Sequence, residues 1–227
     1  MEEKFYRHEY KHEISELSKQ VLMKRLRKLL PHDEHVVGNH YHISSLYFDN
    51  PEDESYYDNQ DGNAEREKFR VRYYNQDLSF IRLEKKVREY NAGYKLSTKL
   101  TREEAERLTQ GDFRFLKYSD DPLKQNFYMN ARTDLLKPKV IVAYDREAFA
   151  YKHGNTRVTL DYNMRASNRV HDFLKSEAVM HRETDVACVL EVKYDTYLPG
   201  WIRELVQIAE TTSCGHSKYK ISRLLTV

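Results

Sequence analysis

The sequence has little of what marks a disulfide scaffold or a loop-rich chain. Among 227 residues there are only 2 cysteines, 7 glycines and 5 prolines. Cys188 and Cys214 allow one bridge at most and lack metal-ligand spacing, so we interpret both as thiols of a reducing compartment. Few glycines and prolines, together with 40% hydrophobic and 12% aromatic residues, exclude a disordered low-complexity chain. No internal repeat is visible, and we expect one folded domain over residues 1–227.

Long apolar runs and an apolar leader are also absent. The best apolar runs, residues 140–144 and 186–190, have strand length and fall far short of the roughly 18 residues of a membrane span. The first residues, Met1-Glu2-Glu3-Lys4, are charged, and no apolar segment of a secretory signal follows them. We therefore expect a cytoplasmic protein with no transmembrane segment of its own.

A strong charge of one sign is missing as well. Lys and Arg number 38 against 36 Asp and Glu, which gives a net charge of +2 and excludes a general nucleic-acid binder. No glycine-rich phosphate loop and no serine nucleophile elbow is present. The pairs His8/His12 and His40/His42 lie in strand-like segments without zinc-ligand spacing. A charge-based function must therefore come from how charged side chains are arranged.

The patterns along the chain predict many strands and few helices, an α+β class. An antiparallel meander is indicated by the turn residues around Asn75 and Asn91, and Thr101 with Glu104 forms a capping-box pattern. Residues 52–67 look like a polar connection and residues 214–227 like a short basic tail. The predicted strands are 5–13, 41–48, 68–74, 80–88, 94–99, 140–151, 156–162 and 187–194, and the predicted helices are 14–30, 102–108, a segment within 122–135, and 201–212.

Alternation along these strands separates an apolar face from a charged face. One interpretation is the solvated face of an ordinary antiparallel sheet. The other is a closed β-barrel, a tunnel whose interior is lined with Arg, Lys and Glu and flanked by a few helices. The arginine content of the charged face and the number of strands favour the tunnel. So does a Glu-x-Lys pattern that recurs at Glu9/Lys11, Glu84/Lys86 and Glu191/Lys193.

A charged interior of this kind suits a polyphosphate chain and its divalent metal. Fixed cations neutralise adjacent phosphates, and one or two carboxylates hold Mg²⁺ or Mn²⁺. At these residues the chain resembles the catalytic domain of vacuolar transporter chaperone (VTC) type polyphosphate polymerases, within the triphosphate tunnel metalloenzyme superfamily. The resemblance is carried by Arg7-x-Glu9-x-Lys11, Ser44-Ser45-Leu46-Tyr47-Phe48-Asp49, Arg70-Val71-Arg72-Tyr73, Glu84-x-Lys86, Tyr144-x-Arg146-x-Ala148-Phe149, Arg157-Val158-Thr159-Leu160-Asp161, Leu190-Glu191-Val192-Lys193-Tyr194 and Ser217-Lys218-Tyr219.

The resemblance implies roles for individual residues. Glu191 would hold Mn²⁺ or Mg²⁺, while Lys11 and Lys218 would be further tunnel cations. Either Lys95 or Lys99 would fill the next basic position, and we select Lys95. The phosphate ligands that act in catalysis would be Arg70, Arg72, Lys86, Arg146 and Arg157. The Glu-x-Lys placement adds Lys193 as a substrate-binding cation and Glu9 and Glu84 as further metal-ligand candidates.

The function so implied is transfer of the γ-phosphoryl group of ATP to inorganic polyphosphate. A tunnel triphosphatase and a catalytically silent polyphosphate-binding module are the alternatives. The sequence shows neither the inositol-phosphate sensing domain nor the transmembrane helices of the eukaryotic proteins. It therefore predicts either a soluble enzyme or one that uses a separate membrane partner.

Overall fold

The computed structural model describes residues 8–34, 36, 38–61, 63–90, 92–207, 212–213 and 217–226. Within them, the helices are α1 (Glu16–Leu29), α2 (Glu54–Gln60), α3 (Arg102–Thr109), α4 (Pro122–Thr133), α5 (Gly200–Val206) and α6 (Lys218–Leu224). The strands are β1 (His8–Ile14), β2 (Tyr41–Asp49), β3 (Glu65–Tyr74), β4 (Asp77–Glu89), β5 (Ala92–Leu100), β6 (Lys137–Tyr151), β7 (Thr156–Ser167), β8 (His181–Arg182), β9 (Cys188–Tyr194) and β10 (Thr212–Ser213). No helix among these residues is long and apolar enough to cross a membrane.

The chain divides into two compact units. The first unit comprises Met1–His42, Tyr144–Met164 and Arg182–His216, and the second comprises Ile43–Ala143, Arg165–His181 and Ser217–Val227. In the first unit the strand order is β10-β1-β9-β7-β6, and in the second it is β6-β2-β3-β4-β5. The predicted antiparallel α+β class is confirmed.

Closure into a barrel within a unit is not found among the described strands. In the first unit the outer strand β10 has only two residues, and in the second unit β5 carries the exposed Lys95 and Lys99. Very short edge strands and charged lysines on an edge strand discourage pairing with a further strand. Each unit therefore contains an open sheet.

Each sheet buries one face under helices. In the second unit Phe69, Val71 and Leu83 pack with Leu108 of α3 and Phe127 of α4 in one core cluster. In the first unit a separate core cluster contains Val158, Leu160, Leu190 and Val192 together with Leu22 and Leu26 of α1 and Ile202 of α5. The strand residues of both clusters are the ones that alternation assigned to the buried face. The opposite face of each sheet carries the charged side chains.

Local signals account for most helix and turn positions. Ser15 caps α1, Asp121 caps α4 ahead of Pro122, and Thr101 and Glu104 form the predicted capping box of α3. Between β3 and β4, Asn75 and Gln76 have φ of 50° and 58°, as a two-residue type I′ hairpin turn requires. The last predicted helix, 201–212, is shorter than expected and ends at Val206.

Two helices arise where the sequence predicted loops. The first amides of α2 donate to side chains before the helix: Ser55 N lies 3.0 Å from Asp49 Oδ1, and Glu54 N lies 2.9 Å from Asn50 Oδ1. Residues interpreted as turn signals thus cap a helix. Helix α6 lies in the predicted tail and is held by contacts with residues near position 50. Its position could not be predicted from local pattern, because those contacts are distant in sequence.

Candidate functional site

In the second unit, β3, β4 and β5 present a face dominated by positive charge. Side chains directly opposite one another in antiparallel strands point to the same side. The register places Lys68, Lys86 and Lys95 in one row and Arg72, Arg82 and Lys99 in another. Between these rows, Arg70 lies opposite Glu84. This cation face consists of Lys68, Arg70, Arg72, Arg82, Lys86, Lys95 and Lys99, seven cations set around the single carboxylate of Glu84.

Glu84 is the buried acid at the centre of the cation face, with 2% of its surface exposed. Its Oε2 accepts from Arg70 Nε at 2.7 Å, its Oε1 accepts from Lys95 Nζ at 2.7 Å, and Arg72 Nη1 lies 3.9 Å away. Burial alone would raise the pKa of Glu84, but these cations reverse the shift and hold the pKa well below its usual range. Glu84 therefore remains ionised and orients the surrounding cations.

Side chains of β2 complete the arginine environment. Arg70 Nη1 donates to Tyr47 Oη at 3.1 Å, and Arg72 Nε donates to Ser45 Oγ at 3.0 Å. Burial would raise the pKa of Tyr47, but the nearby guanidinium groups of Arg70 and Arg72 outweigh it and lower the pKa to about 8. Tyr47 thus helps Glu84 to orient Arg70, and Ser45 orients Arg72.

Helix α6 brings Lys218 to this part of the second unit. Tyr219 Oη donates to Asp49 Oδ2 at 2.5 Å, and its ring lies 5.3 Å from the ring of Tyr47. Arg223 forms two hydrogen bonds with the Asp53 carboxylate, at 2.6 and 2.8 Å. Lys218 contributes to lowering the pKa of Tyr47, so its charge acts on the same group as Arg70.

In the first unit, β1, β9 and β7 carry an alternating set of charges. The register places Glu9 opposite Lys193 and Lys11 opposite Glu191, while Arg157 lies opposite Lys193 on the other side of β9. Within each strand, Lys11 contacts Glu9 and Lys193 contacts Glu191 as close ion pairs. Burial lowers the pKa of Lys193, although Glu191 and Glu9 oppose that shift. We call Glu9, Lys11, Arg146, Arg157, Asp161, Glu191 and Lys193 the mixed-charge cluster.

Arg146 connects two carboxylates of the mixed-charge cluster. Its Nε and Nη2 lie 2.6 and 2.7 Å from the two oxygens of Asp161, and its Nη2 lies 3.6 Å from Glu191 Oε2. Burial would lower the pKa of Arg146, but the Asp161 carboxylate outweighs it and raises the pKa. Arg157 has separate partners, since its Nη2 lies 3.0 Å from Asp33 Oδ2 and 2.9 Å from Tyr41 Oη.

The oxygen donors of the first unit fit a hard divalent cation. Asp161 and Glu191 are both buried carboxylates, with 3% and 5% of their surfaces exposed. Thr159 lies directly opposite Glu191, and its buried Oγ1 has no hydrogen-bond partner among the described residues. The described residues contain no group of three or more Asp, Glu, His or Cys side chains able to hold a metal. Mg²⁺ and Mn²⁺ are commonly bound through one or two carboxylates plus substrate phosphates, so Asp161 and Glu191 are the carboxylates that would hold such an ion in this unit.

The structure places the predicted site residues in two groups. Arg70, Arg72, Glu84, Lys86, Lys95 and Lys218 lie in the second unit, and Glu9, Lys11, Arg146, Arg157, Glu191 and Lys193 lie in the first. Their roles stay predictions. Arg7 and Cys214 lie outside the described residues, and Cys188 is buried in the core of the first unit.

Sequence reasoning missed several groups that contact these residues or lie beside them in the sheet. Tyr47 and Asp161 stood within motifs that carried the resemblance, but they received no role. Lys68 and Arg82 stood on the charged face and were also left out of the site. Alternation along β3 and β4 could have placed Lys68 and Arg82 in the candidate site. The contacts of Tyr47 and Asp161 with the arginines could not be predicted, because they depend on strand register.

Comparison with known proteins places these observations in a family. The VTC domain profile matches residues 6–227. No curated protein matches the chain. A solved structure of the candidate adenylyl cyclase HpAC1 from Hippeastrum, reported with a dominant triphosphatase activity, is 13% identical, covers 98% of this chain and 97% of its own, and has a TM-score of 0.54. A candidate adenylate cyclase from Bacillus halodurans is 11% identical over 89% of this chain and 86% of its own, with a TM-score of 0.49. The HpAC1 likeness is one of fold, and the profile match over nearly the whole length shows that the chain belongs to the VTC domain family.

Proposed function

We propose that this protein is a polyphosphate polymerase that transfers the γ-phosphoryl group of ATP to the end of an inorganic polyphosphate chain. The observation that carries the proposal is the cation face, where seven cations surround one carboxylate in a chain of net charge +2. Like charges opposite one another destabilise a sheet, and a bound polyanion would remove that cost. Membership of the VTC domain family supports the same substrate class.

In the proposed reaction a terminal oxygen of polyphosphate attacks the γ-phosphorus of ATP. The bond between that phosphorus and the β,γ-bridging oxygen breaks, and ADP leaves with the bonding electrons. Arg70 and Arg72, and also Lys86, would align the phosphates and absorb the charge that develops on their oxygens. Little covalent chemistry is required of the protein.

The mixed-charge cluster of the first unit is, by itself, the candidate metal-binding part of the protein. Glu191 would hold a divalent cation, with Asp161 and Thr159 as neighbouring oxygen donors. Bound Mn²⁺ or Mg²⁺ supplies further neutralisation of phosphate charge. Arg146 and Arg157 would bind phosphate oxygens, while Lys11 and Lys193 keep the local charge balanced around Glu191.

A tunnel triphosphatase is the second candidate, in which water replaces the polyphosphate end as acceptor. It is favoured by the likeness of fold to HpAC1, which is reported with a dominant triphosphatase activity. A silent binding module is the third candidate, in which Glu191 would only pair with Lys193 and Arg146 and would hold no metal.

The experiment uses ATP that carries a radioactive label in its γ-phosphate and asks which product contains the label. The purified full chain is incubated with this ATP and Mn²⁺ or Mg²⁺, and the products are separated by size. Label in long polymer supports the polymerase, and label only in inorganic phosphate supports the triphosphatase. Label that stays in ATP, while polyphosphate still binds, identifies a binding module.

A further inference from the structure

Lys68 is a member of the cation face for which the proposed function has no role. It lies opposite Lys86 in β4, which in turn lies opposite Lys95 in β5. Its Nζ is shielded from solvent and has no hydrogen-bond partner among the residues that the structure describes. The ammonium instead lies 5.0 Å from the centroid of the Tyr219 ring. Burying an ammonium group without an acceptor is costly, so this position lacks a hydrogen-bond acceptor within the described part of the chain.

The groups around Lys68 come from every neighbouring element. They are Tyr47 and Asp49 of β2, Asp58 of α2, Arg66 of its own strand, Lys86 of β4 and Tyr219 of α6. Burial lowers the pKa of Lys68 to about 8, and Arg66 acts in the same direction against the weaker pull of Tyr47, Asp49 and Asp58. Lys68 is therefore charged at neutral pH and loses its proton above about pH 8.

We propose that Lys68 is a further phosphate-binding residue, which turns its ammonium from the Tyr219 ring towards Lys86 to bind one phosphate group of an inorganic polyphosphate. Four rotatable methylene groups allow this movement without a change in the strand. Lys68 and Arg70 are two residues apart on one face, a spacing of roughly 7 Å, so the same chain of phosphates would reach both. The inference rests on the proposed function and adds a residue to that site.

Phosphate binding at Lys68 changes the number of protons that the protein binds. A bound phosphate favours the ammonium form of Lys68, so binding above pH 8 takes up a proton from solvent. Tyr47 also has a pKa of about 8, and an anion beside it favours its protonated form. Both groups therefore contribute to proton uptake, and the experiment must separate them.

The probe is inorganic tripolyphosphate, titrated calorimetrically without metal into the full chain at about pH 8.5, half a unit above the pKa of Lys68. Two buffers of different ionisation enthalpy give the number of protons taken up. Lys68→Met and Lys68→Arg are compared in the natural chain and in a Tyr47→Phe background. The matched control is Lys85→Met, because Lys85 is a buried lysine of β4 whose Nζ contacts Glu67 and Asn126 away from the cation face.

We expect Lys68→Met to weaken binding about tenfold and to lower proton uptake in both backgrounds. Lys68→Arg should keep the affinity within about threefold yet lower proton uptake, since a guanidinium does not titrate here. Lys85→Met should change neither quantity. The inference is overturned if Lys68→Met binds tripolyphosphate with the affinity and the proton uptake of the natural chain. If thermal melting shows that Lys68→Met does not fold, Lys68→Arg decides instead. Proton uptake equal to that of the natural chain in Lys68→Arg then overturns the inference. Failure of the natural chain to bind tripolyphosphate overturns the proposed function itself.

Discussion

Arg146 and Asp161 form an ion pair through two parallel hydrogen bonds, from Nε and Nη2 to the two carboxylate oxygens, at 2.6 and 2.7 Å. Two bonds of this kind fix the plane of the guanidinium as well as its position. The position of Arg146 Nη2 relative to Glu191 is therefore fixed before any ligand binds. Asp161 acts as a positioning residue for Arg146, and its oxygens lie beside the carboxylate expected to hold a metal.

Removing either arginine of β3 should abolish most turnover. Arg70→Ala and Arg72→Ala each delete a charge from the cation face, and loss of one such donor commonly costs about 10²–10³ in rate. Both variants should fold but melt at a lower temperature than the natural chain, because Arg70→Ala removes a hydrogen bond to the buried Glu84 carboxylate and Arg72→Ala leaves Ser45 without its donor.

Turnover and thermal melting of purified variants check this, with Arg102→Ala as the control. Arg102 pairs with Glu106 on the exposed surface of α3, so its loss should leave both measurements unchanged. If Arg70→Ala and Arg72→Ala keep full activity, the charged face is an ordinary solvated face of the sheet.

Affinity for polyphosphate should fall steeply with salt although the net charge is only +2. The cations act locally because they share one face, and each phosphate contact releases counter-ions. We expect affinity to fall at least roughly tenfold as salt rises from about 0.05 to about 0.2 M. A series of binding constants measures the slope, and Arg70→Ala should reduce it. A flat dependence would show that the cations are neutralised within the protein.

Glu191→Gln should collapse turnover while leaving metal-free polyphosphate binding equal or stronger. The amide keeps the shape of the side chain but removes the charge that would hold Mn²⁺ or Mg²⁺. It also removes one negative charge from an anion site. Turnover across a metal series and binding without metal are the two measurements, with Glu183→Gln as a control at another buried glutamate of the first unit.

Near-normal metal-dependent turnover in Glu191→Gln would place the metal elsewhere. Glu9 and Glu84 are then the next positions to test. Of these, Glu9 lies opposite Lys193 in the mixed-charge cluster, and Glu84 lies at the centre of the cation face.

Asp53→Asn should destabilise the protein at neutral pH and have little effect at strongly acid pH. Hydrogen bonds from Arg223, and also from Lys139, lower the pKa of Asp53 to about 2, against the partial burial that opposes the shift. A carboxyl with a depressed native pKa stabilises the fold above its unfolded pKa of about 4, and that contribution is lost as pH falls towards 2. We expect a loss of about 2 kcal/mol at pH 7 from urea unfolding curves.

The control for Asp53 is Asp112→Asn. Asp112 pairs with Arg107 on an exposed surface, at 2.7 Å, where such pairs contribute little. An equal loss of stability from both substitutions at pH 7, or a loss from Asp53→Asn that persists at acid pH, would contradict the prediction.

Much of the fold was predictable because it depends on local pattern. The capping box at Thr101 and the alternation around Val71 and Leu83 placed α3, β3 and β4 correctly. Helices α2 and α6 were missed, because Asp49 and Asn50 look like turn residues until their side chains are seen to cap α2. The partners of α6 are distant in sequence.

The site was predictable to the level of faces but not of partners. The Glu-x-Lys spacing placed Glu84 and Lys86 on one face, yet Glu84 pairs across strands with Arg70 and Lys95. Pairing across strands depends on register, and a pattern within one strand does not specify register. The same holds for Arg146 and Asp161, which lie on different strands.

The contact between Tyr219 and Asp49 joins residues 170 positions apart in the chain. A growing chain on the ribosome therefore makes β2 and β3 long before the helix that supports them. Until α6 is synthesised, the Tyr47 ring lacks its contact with the Tyr219 ring, and Asp53 lacks Arg223. Nascent chains stopped short of residue 217 should consequently display an incompletely formed cation face, so the binding capacity of this unit matures only after α6 has been synthesised.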